Sequence, residues 1–210
     1  MALPTPHYDL HLPDDVYPPS EDTFLFLDAL EQDREFITNT VRPSLVVEIG
    51  CGSGLVSAFF LQLPGLDPTP QAICIDINPN ALRATKDTLI KNKVNGELIR
   101  TNLLNGLNLD GKVDVLLFNP PYVPTEEAAF DNLSRTYAGG HDGRDELDKL
   151  LPQIPNLLSK PYGTFYLIAL HQNNIPFLCD SLTQYGIHGS ILKERRCGIE
   201  HLYVIKYIRT

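Results

Sequence analysis

Three alternating glycines directly after a short apolar run constrain this chain more than any other feature. Residues 45–49 predict a buried strand, and Gly50, Gly52 and Gly54 follow it where a helical period of apolar residues begins, over residues 53–63. Glycine lets the backbone turn tightly and approach a ligand closely. The pattern predicts a strand, turn and helix of an open α/β sheet that binds a ligand at the turn.

An acidic residue ends the next predicted strand, which spans residues 72–76. Asp76 stands there, and a helix is predicted over residues 79–91, with Asn78 as its N-cap and Pro79 in its first turn. A carboxylate at this place can accept hydrogen bonds from both ribose hydroxyls of an adenosine. These features predict a nucleoside-containing cofactor and leave both a nicotinamide cofactor and S-adenosylmethionine open.

The rest of the chain continues the alternation of strands and helices, which predicts an α/β, Rossmann-like fold. Residues 113–118, which are apolar except for Asp114, predict a strand buried on both faces at the centre of the sheet. The last two strands predict an antiparallel hairpin on a mostly parallel sheet. The other predicted strands are residues 96–101, 163–170, 189–194 and 202–208, and the other helices are residues 20–30, 144–158 and 175–185.

Length and charge limit the classes of function. We expect residues 1–210 to form a single domain, with an irregular segment over 1–19 and an active-site loop over 119–143. The 17 basic and 26 acidic side chains give a formal charge of −9, which disfavours direct DNA binding. No membrane association is expected, because no apolar segment approaches about 20 residues. We expect a cytoplasmic protein, with the nucleus as a further location.

Two prolines follow the predicted central strand, in the sequence Asn119-Pro120-Pro121-Tyr122. Open α/β sheets bind ligands at this edge, and the prolines fix the local backbone. The Asn119 side-chain oxygen and the Pro120 carbonyl can accept the two hydrogens of a planar NH2 group, while the Tyr122 ring stacks on its face. After the glycine turn, the motif predicts methyl transfer to an NH2 group, and a rigid turn without chemistry is the alternative.

These motifs resemble those of the amino-group N-methyltransferases of the Rossmann-like S-adenosylmethionine class. Within that class, residues 16–24, with the sequence VYPPSEDTF, and residues 137–144, with the sequence YAGGHDGR, resemble the HemK-type glutamine methyltransferases of the short eukaryotic and archaeal branch. The resemblance implies a seven-stranded sheet. It also implies that the whole chain is the catalytic domain, without the N-terminal helical domain of bacterial members.

The resemblance implies a substrate and a partner as well. The substrate is the class 1 translation termination (release) factor, free or bound to its GTPase. The glutamine side chain of its Gly-Gly-Gln motif is methylated at N5 with S-adenosylmethionine. The partner is a small zinc-binding activator subunit in a heterodimer.

Residue by residue, the resemblance implies two adjoining groups of site residues. The catalytic group is Asn119, Pro120, Pro121 and Tyr122. The cofactor-binding group is Thr23, Glu48, Gly50, Gly52, Asp76, Asn102, Leu103 and Asn119. The chain departs from the family at Asn102, where aspartate is usual and an uncharged acceptor oxygen remains. It departs again at Tyr137, where tryptophan is common and where we expect an aromatic packing anchor for the loop.

Other reactive side chains form no recognisable site. The six histidines and four cysteines lack metal-ligand spacing, so no metal site is predicted, and only His141 falls in the predicted loop. Glu126 and Glu127 could meet a basic target segment, and solvated charges are the alternative. Arg195 and Arg196 could contact RNA or an acidic partner, and a role in solubility is the alternative.

Apolar side chains around the strand predicted at residues 96–101 indicate an interaction surface. A bare apolar sheet edge favours aggregation. We expect the activator to add a strand here and to cover these side chains. They are Leu98, Ile99, Leu103, Leu104 and Leu107.

The residues leave two other functions open. The first keeps methyl transfer and changes the acceptor to a histone lysine or to a nucleobase amino group, on which Tyr122 would stack. The second is a non-catalytic scaffold with the same fold. The intact cofactor and acceptor motifs argue against the scaffold.

Overall fold

A seven-stranded sheet forms the centre of the molecule. The structure is a computed structural model that describes residues 2–125 and 137–210, so Glu126 and Glu127 lie outside the described residues. The strands are β1 Leu45–Ile49, β2 Gln71–Asp76, β3 Glu97–Arg100, β4 Val115–Phe118, β5 Thr164–Leu170, β6 Ile187–Cys197 and β7 Glu200–Arg209. Their order across the sheet is β3-β2-β1-β4-β5-β7-β6.

The pairing confirms the predicted mixture of parallel and antiparallel strands. Strands β1 to β5 pair in parallel. Strand β7 pairs antiparallel with both β5 and β6, so among these seven strands it alone runs in the opposite direction. The predicted C-terminal hairpin is present and longer than expected. Strand β4 is central and buried over its whole length, as its apolar sequence predicts.

The helices cover both faces of the sheet. They are α1 Glu21–Gln32, α2 Arg34–Phe36, α3 Leu55–Leu61, α4 Pro79–Lys91, α5 Asp145–Leu150, α6 Ile154–Leu157 and α7 Ile175–Asp180. In the part of the chain that the structure describes, no helix has the length and apolar character to cross a bilayer.

Two predicted helices are wrong in their extent. The helix predicted over residues 144–158 is divided into α5, a 3₁₀ turn at Leu151–Gln153, and α6. Pro152 and Pro155 cause this division, because proline has no N–H for the helical hydrogen bond. The helix predicted over residues 175–185 ends at Asp180, and a separate 3₁₀ turn follows at Thr183–Tyr185.

The apolar residues of β4 show how one strand supports two cores. Val115 and Leu117 pack into the core that contains α1 and α3. Leu116 and Phe118 pack into the core that contains α5, α6 and α7. Successive side chains of a strand point to opposite faces, so a strand covered on both faces is apolar throughout. The two cores fix β4, and they thereby fix the turn that follows it.

Candidate active site

A cavity of about 1150 Å³ lies where β1, β2 and β4 end. Strand β1 lies between β2 and β4: from β1 the chain builds β2 and β3 on one side, and it then crosses over to build β4 and β5 on the other. Open α/β sheets bind ligands at such a switch point. Ligand pockets commonly measure about 300–1,000 Å³, so this cavity has room for a cofactor and part of a second molecule.

The cavity brings every predicted site residue together. Its walls include Thr23, Glu48, Gly50, Gly52, Asp76, Asn102, Leu103, Asn119, Pro120, Pro121 and Tyr122. The roles of the individual residues remain predictions. His141 is not among the residues that line the cavity, and its side chain is exposed beside Asp142.

The glycine turn is held tightly against α4. Gly54 has φ +75°, and a Cβ atom there would lie 2.6 Å from the Cα of Thr85. The Thr85 hydroxyl donates to the carbonyl of Gly52 at 3.1 Å. A side chain at residue 54 would separate the turn from the helix, which explains why glycine is required there.

Asp76 is oriented by backbone donors. Its Oδ2 accepts from the N–H of Gly52 at 3.0 Å, and its Oδ1 accepts from the N–H of Asn78 at 2.8 Å. Burial raises the pKa of Asp76, and these backbone hydrogen bonds oppose that shift. Each carboxylate oxygen keeps a free lone pair, so both can accept from a ribose hydroxyl.

Glu48 is a second carboxyl group in the cavity wall, and its hydrogen-bond donors differ from those of Asp76. It is buried in β1 and accepts a hydrogen bond from the Ser57 hydroxyl. Burial raises its pKa to about 8. Glu48 is therefore mostly protonated at neutral pH, and a cation bound beside it would favour ionisation.

The charged side chains in the described lining of the cavity are mostly acidic. Among its described lining residues, acidic side chains outnumber the basic Arg100. The acidic lining residues are Asp15, Asp22, Glu48, Asp76, Asp145, Glu146 and Glu200. Such a lining repels the pyrophosphate of a nicotinamide cofactor and attracts a sulfonium and an ammonium group.

The Asn-Pro-Pro-Tyr turn is anchored by a residue from α1. Asn119 Nδ2 donates to Oδ2 of Asp22 at 2.9 Å, and the Tyr122 hydroxyl donates to the same oxygen at 3.1 Å. Burial and the adjacent Asp22 raise the pKa of Tyr122, so it stays a neutral phenol. Asn119 Oδ1 is buried and has no hydrogen-bond partner within the described residues. Such an atom is the acceptor that a bound N–H group would satisfy.

Sequence reasoning missed two residues that organise this site. Asp22 lies in the segment at 16–24 and at the start of the helix predicted over residues 20–30, and neither pattern indicates its contact with Asn119. Asn173 is 1% exposed, and its Nδ2 donates to the carbonyls of Tyr122 and Asp142 at 2.9 and 3.0 Å. Asn173 thereby joins the turn after β4 to the segment around Gly143. A turn asparagine after β5 gave no signal of this long-range contact.

Ile77 and Tyr137 also line the cavity. Ile77 follows Asp76 directly, lines the cavity and is 62% exposed, so it offers an apolar surface to a flat base. Tyr137 is 40% exposed, and its carbonyl accepts from the N–H of Val123 at 2.9 Å. Residues 126–136 of the predicted loop lie outside the described residues, so the role of Tyr137 as an aromatic anchor for the loop stays a prediction.

A sheet of this order, with its single antiparallel strand inserted before the edge, is the architecture of the Rossmann-like methyltransferases, and the chain has the fold of this class. The family model described as the methyltransferase small domain matches residues 22–138. The chain belongs to this family, and within it to the HemK-type methyltransferases.

Three similar proteins define that branch. The Homo sapiens protein named Methyltransferase HEMK2 is 40% identical over 202 residues, 93% of this chain and 91% of that protein. The Schizosaccharomyces pombe eRF1 methyltransferase catalytic subunit mtq2 is 38% identical, over 93% of this chain and 90% of that protein. The solved E. cuniculi Mtq2-Trm112 complex, described as responsible for methylation of the eRF1 translation termination factor, matches with TM-score 0.69 and 27% identity. The match covers 93% of this chain and 99% of that one.

Proposed function

We propose that this chain methylates the glutamine side chain in the Gly-Gly-Gln motif of a class 1 release factor at N5, with S-adenosylmethionine as methyl donor. One observation carries the proposal: a buried Asn119 oxygen in the wall of an acidic cavity, without a hydrogen-bond partner in residues 2–125 and 137–210. A primary amide has N–H donors for this oxygen and for the Pro120 carbonyl. The names of the S. pombe and E. cuniculi relatives support the choice of the release factor.

The residues present fit S-adenosylmethionine. Asp76 would hold the ribose hydroxyls, and Ile77 would lie against the base. The glycine turn leaves room for close approach, and Glu48 would face the positive charge. When bound, this cofactor supplies an electrophilic methyl group on a sulfonium. The acidic lining suits that charge.

An amide is a weak nucleophile, because its nitrogen shares the lone pair with the carbonyl. Asn119 and Pro120 would hold the NH2 group in line with the methyl group, and their oxygens would stabilise the positive charge that develops on nitrogen. Transfer would form a bond between nitrogen and the methyl carbon as the donor's carbon–sulfur bond breaks, and one N–H proton would then leave to water. No strong base is needed, since the proton departs after the nitrogen has become positively charged.

The activator would bind at the edge formed by β3. This strand pairs with β2 on one side and forms the end of the sheet on the other. Four of the five apolar side chains predicted for this surface are half-buried, while Leu104 is buried. Strand addition would satisfy the free backbone groups and cover the half-buried side chains. The E. cuniculi relative was solved as a complex with Trm112, which supports a small partner.

The test is methyl transfer from labelled S-adenosylmethionine to a release factor, with and without the activator. The matched acceptor carries Gln→Asn in its Gly-Gly-Gln loop, which keeps an amide and shortens its side chain. We expect label on the native loop only, and loss of label with Asn119→Ala while cofactor affinity stays within about threefold. Label on histones or nucleic acid, with none on either loop, would overturn the acceptor.

A further inference from the structure

We infer that Asp22 is a positioning residue for methyl transfer. It fixes the Asn119 amide in one of its two orientations and strengthens its oxygen as an acceptor. The inference rests on the proposed function, and it concerns a residue of α1 that lies 97 positions from Asn119 in the sequence. Nothing in the Asn-Pro-Pro-Tyr motif itself supplies this orientation.

Asp22 is itself held rigidly. It is 2% exposed and lies in the first turn of α1, where the helix dipole favours a negative charge. Its Oδ1 accepts from the N–H of Thr23 at 2.7 Å, and its Oδ2 accepts from both Asn119 and Tyr122. No ion pair to Asp22 is found in the ranges 2–125 and 137–210. The carboxylate therefore has hydrogen-bond donors on both oxygens and no basic partner among the described residues.

This arrangement decides which end of the Asn119 amide faces the substrate amide that accepts the methyl group. An ionised carboxylate only accepts hydrogen bonds, so it must face the NH2 end of Asn119. The oxygen end then remains for the incoming amide. With the opposite orientation, two NH2 groups would face each other and the acceptor could not be held.

The same contact changes the strength of the oxygen. Hydrogen bonds to a charged group are about twice as strong as neutral ones, and chains of hydrogen bonds polarise one another. The negative charge of Asp22 polarises the Asn119 amide and increases the electron density on its Oδ1. This oxygen thereby becomes a stronger hydrogen-bond acceptor as positive charge develops on the attacking nitrogen. Asp22 exchanges no proton with the substrate, because Asn119 lies between them. It acts on the acceptor amide through Asn119, and the same oxygen also holds the Tyr122 hydroxyl.

The experiment is a double-mutant cycle on the full chain with its activator, measuring kcat, acceptor KM and cofactor Kd. Asp22→Asn keeps the shape and removes the charge. We expect it to lower kcat about 10- to 100-fold and to leave cofactor Kd within about threefold. In an Asn119→Ala background, where only residual transfer is left, single-turnover rates at high enzyme concentration should change by less than about threefold on adding Asp22→Asn, because the main target of Asp22 is gone. Asp28→Asn, on the exposed side of α1 beside Arg195, is the matched control and should retain wild-type kcat.

A swapped pair tests the inference if Asp22→Asn alone fails to fold. Asn119→Asp sets two carboxylates against each other and should inactivate the chain. Adding Asp22→Asn restores a donor facing a carboxylate, and we expect at least about tenfold recovery over Asn119→Asp.

Three results would overturn the role of Asp22. They are wild-type kcat in Asp22→Asn, an equal loss in the presence and absence of Asn119, and no recovery in the swapped pair. Failure of the unmodified chain to label the native Gly-Gly-Gln loop would instead overturn the proposed function.

Discussion

At the scale of single residues, two carboxyl groups of one cavity have different hydrogen-bond surroundings, although burial raises the pKa of both. Asp76 accepts from backbone N–H groups on both oxygens, whereas Glu48 is buried beside one hydroxyl. Backbone donors favour the charged form, and burial favours the neutral one. The first carboxyl group suits neutral hydroxyl donors, and the second responds to a bound cation.

Replacing Asp76 should weaken cofactor binding directly. The N–H groups of Gly52 and Asn78 require two acceptors, and Asp76→Asn offers one acceptor and one donor. The substituted side chain must therefore turn, and it loses hydrogen bonds to the ribose. We expect Kd for S-adenosylmethionine to rise about 10- to 100-fold by isothermal titration calorimetry. Asp87→Asn, exposed on α4, is the control and should bind as wild type. Equal affinity of Asp76→Asn and wild type would contradict the assignment.

Replacing Glu48 should change how stability depends on pH. Its pKa rises from 4.5 to about 8 on folding, so the folded chain holds a proton that the unfolded chain has released. Glu48 therefore costs about 1.4 kcal/mol of stability per pH unit as pH rises through this window. We expect Glu48→Gln to match wild type in urea unfolding near pH 5 and to exceed it increasingly up to pH 8. A pH-independent difference would refute this.

The sequence identified a site residue only where that residue lies at the end of a predicted strand. Asp76 is the last residue of β2 and Asn119 directly follows β4, so the fold class alone places them at one edge. Asp22 and Asn173 act through contacts between segments far apart in the sequence. In the sequence alone, Asp22 fits an ordinary helix start and Asn173 fits an ordinary turn. A pattern of local periodicity contains no information about such pairs.

At the scale of elements, the acceptor site depends on two loop segments pressed together. Gly143 has φ +67°, and a Cβ atom there would lie 2.2 Å from the carbonyl oxygen of Tyr122. Asn173 joins the same two segments by hydrogen bonds. The turn after β4 therefore has its geometry fixed from outside as well as by its prolines.

Gly143→Ala should separate these segments. Gly111 has nearly the same backbone, φ +66°, with nothing within 4 Å of its Cβ position, so Gly111→Ala isolates the cost of backbone strain. We expect about 1–2 kcal/mol from strain in both variants, with a further loss in Gly143→Ala alone. Methyl transfer should fall at least about tenfold only in Gly143→Ala. Equal unfolding free energies and equal activities would show that the contact is unimportant.

Element types followed the sequence closely, and element lengths did not. Strand β4 and the antiparallel hairpin were predictable from apolar runs. The helix predicted over residues 144–158 was not, because helical periodicity outweighed Pro152 and Pro155 in that prediction. Each proline removes a backbone donor, and the chain continues as short turns that keep the same apolar face on the core.

At the scale of the whole molecule, the two edges of the sheet differ. β3 is an edge of four residues with half-buried apolar neighbours, whereas β6 is an edge of eleven residues. The described part of the chain places the cavity beside the β3 side, since β2 supplies Asp76. A partner on β3 would therefore contact the half of the sheet that holds the cofactor site.

A charge on the β3 side should prevent partner binding. Leu107→Lys places an ammonium group on the proposed surface, and Ile191→Lys places the same group on a half-exposed position of the opposite edge strand. We expect co-purification with the activator to fall at least about tenfold for Leu107→Lys and to be unchanged for Ile191→Lys. Loss in both variants, or in neither, would place the activator elsewhere.

The continuity of one cavity from Asp76 to Asn119 has a consequence for inhibition. A compound that joins adenosine to a primary carboxamide through a short linker would meet both ends at once. Only one molecule would then lose its translational freedom on binding. Nicotinamide enzymes share the glycine turn, but their sites accommodate a pyrophosphate, so an amine in the linker would favour the acidic cavity. Selectivity would then depend on charge rather than on shape.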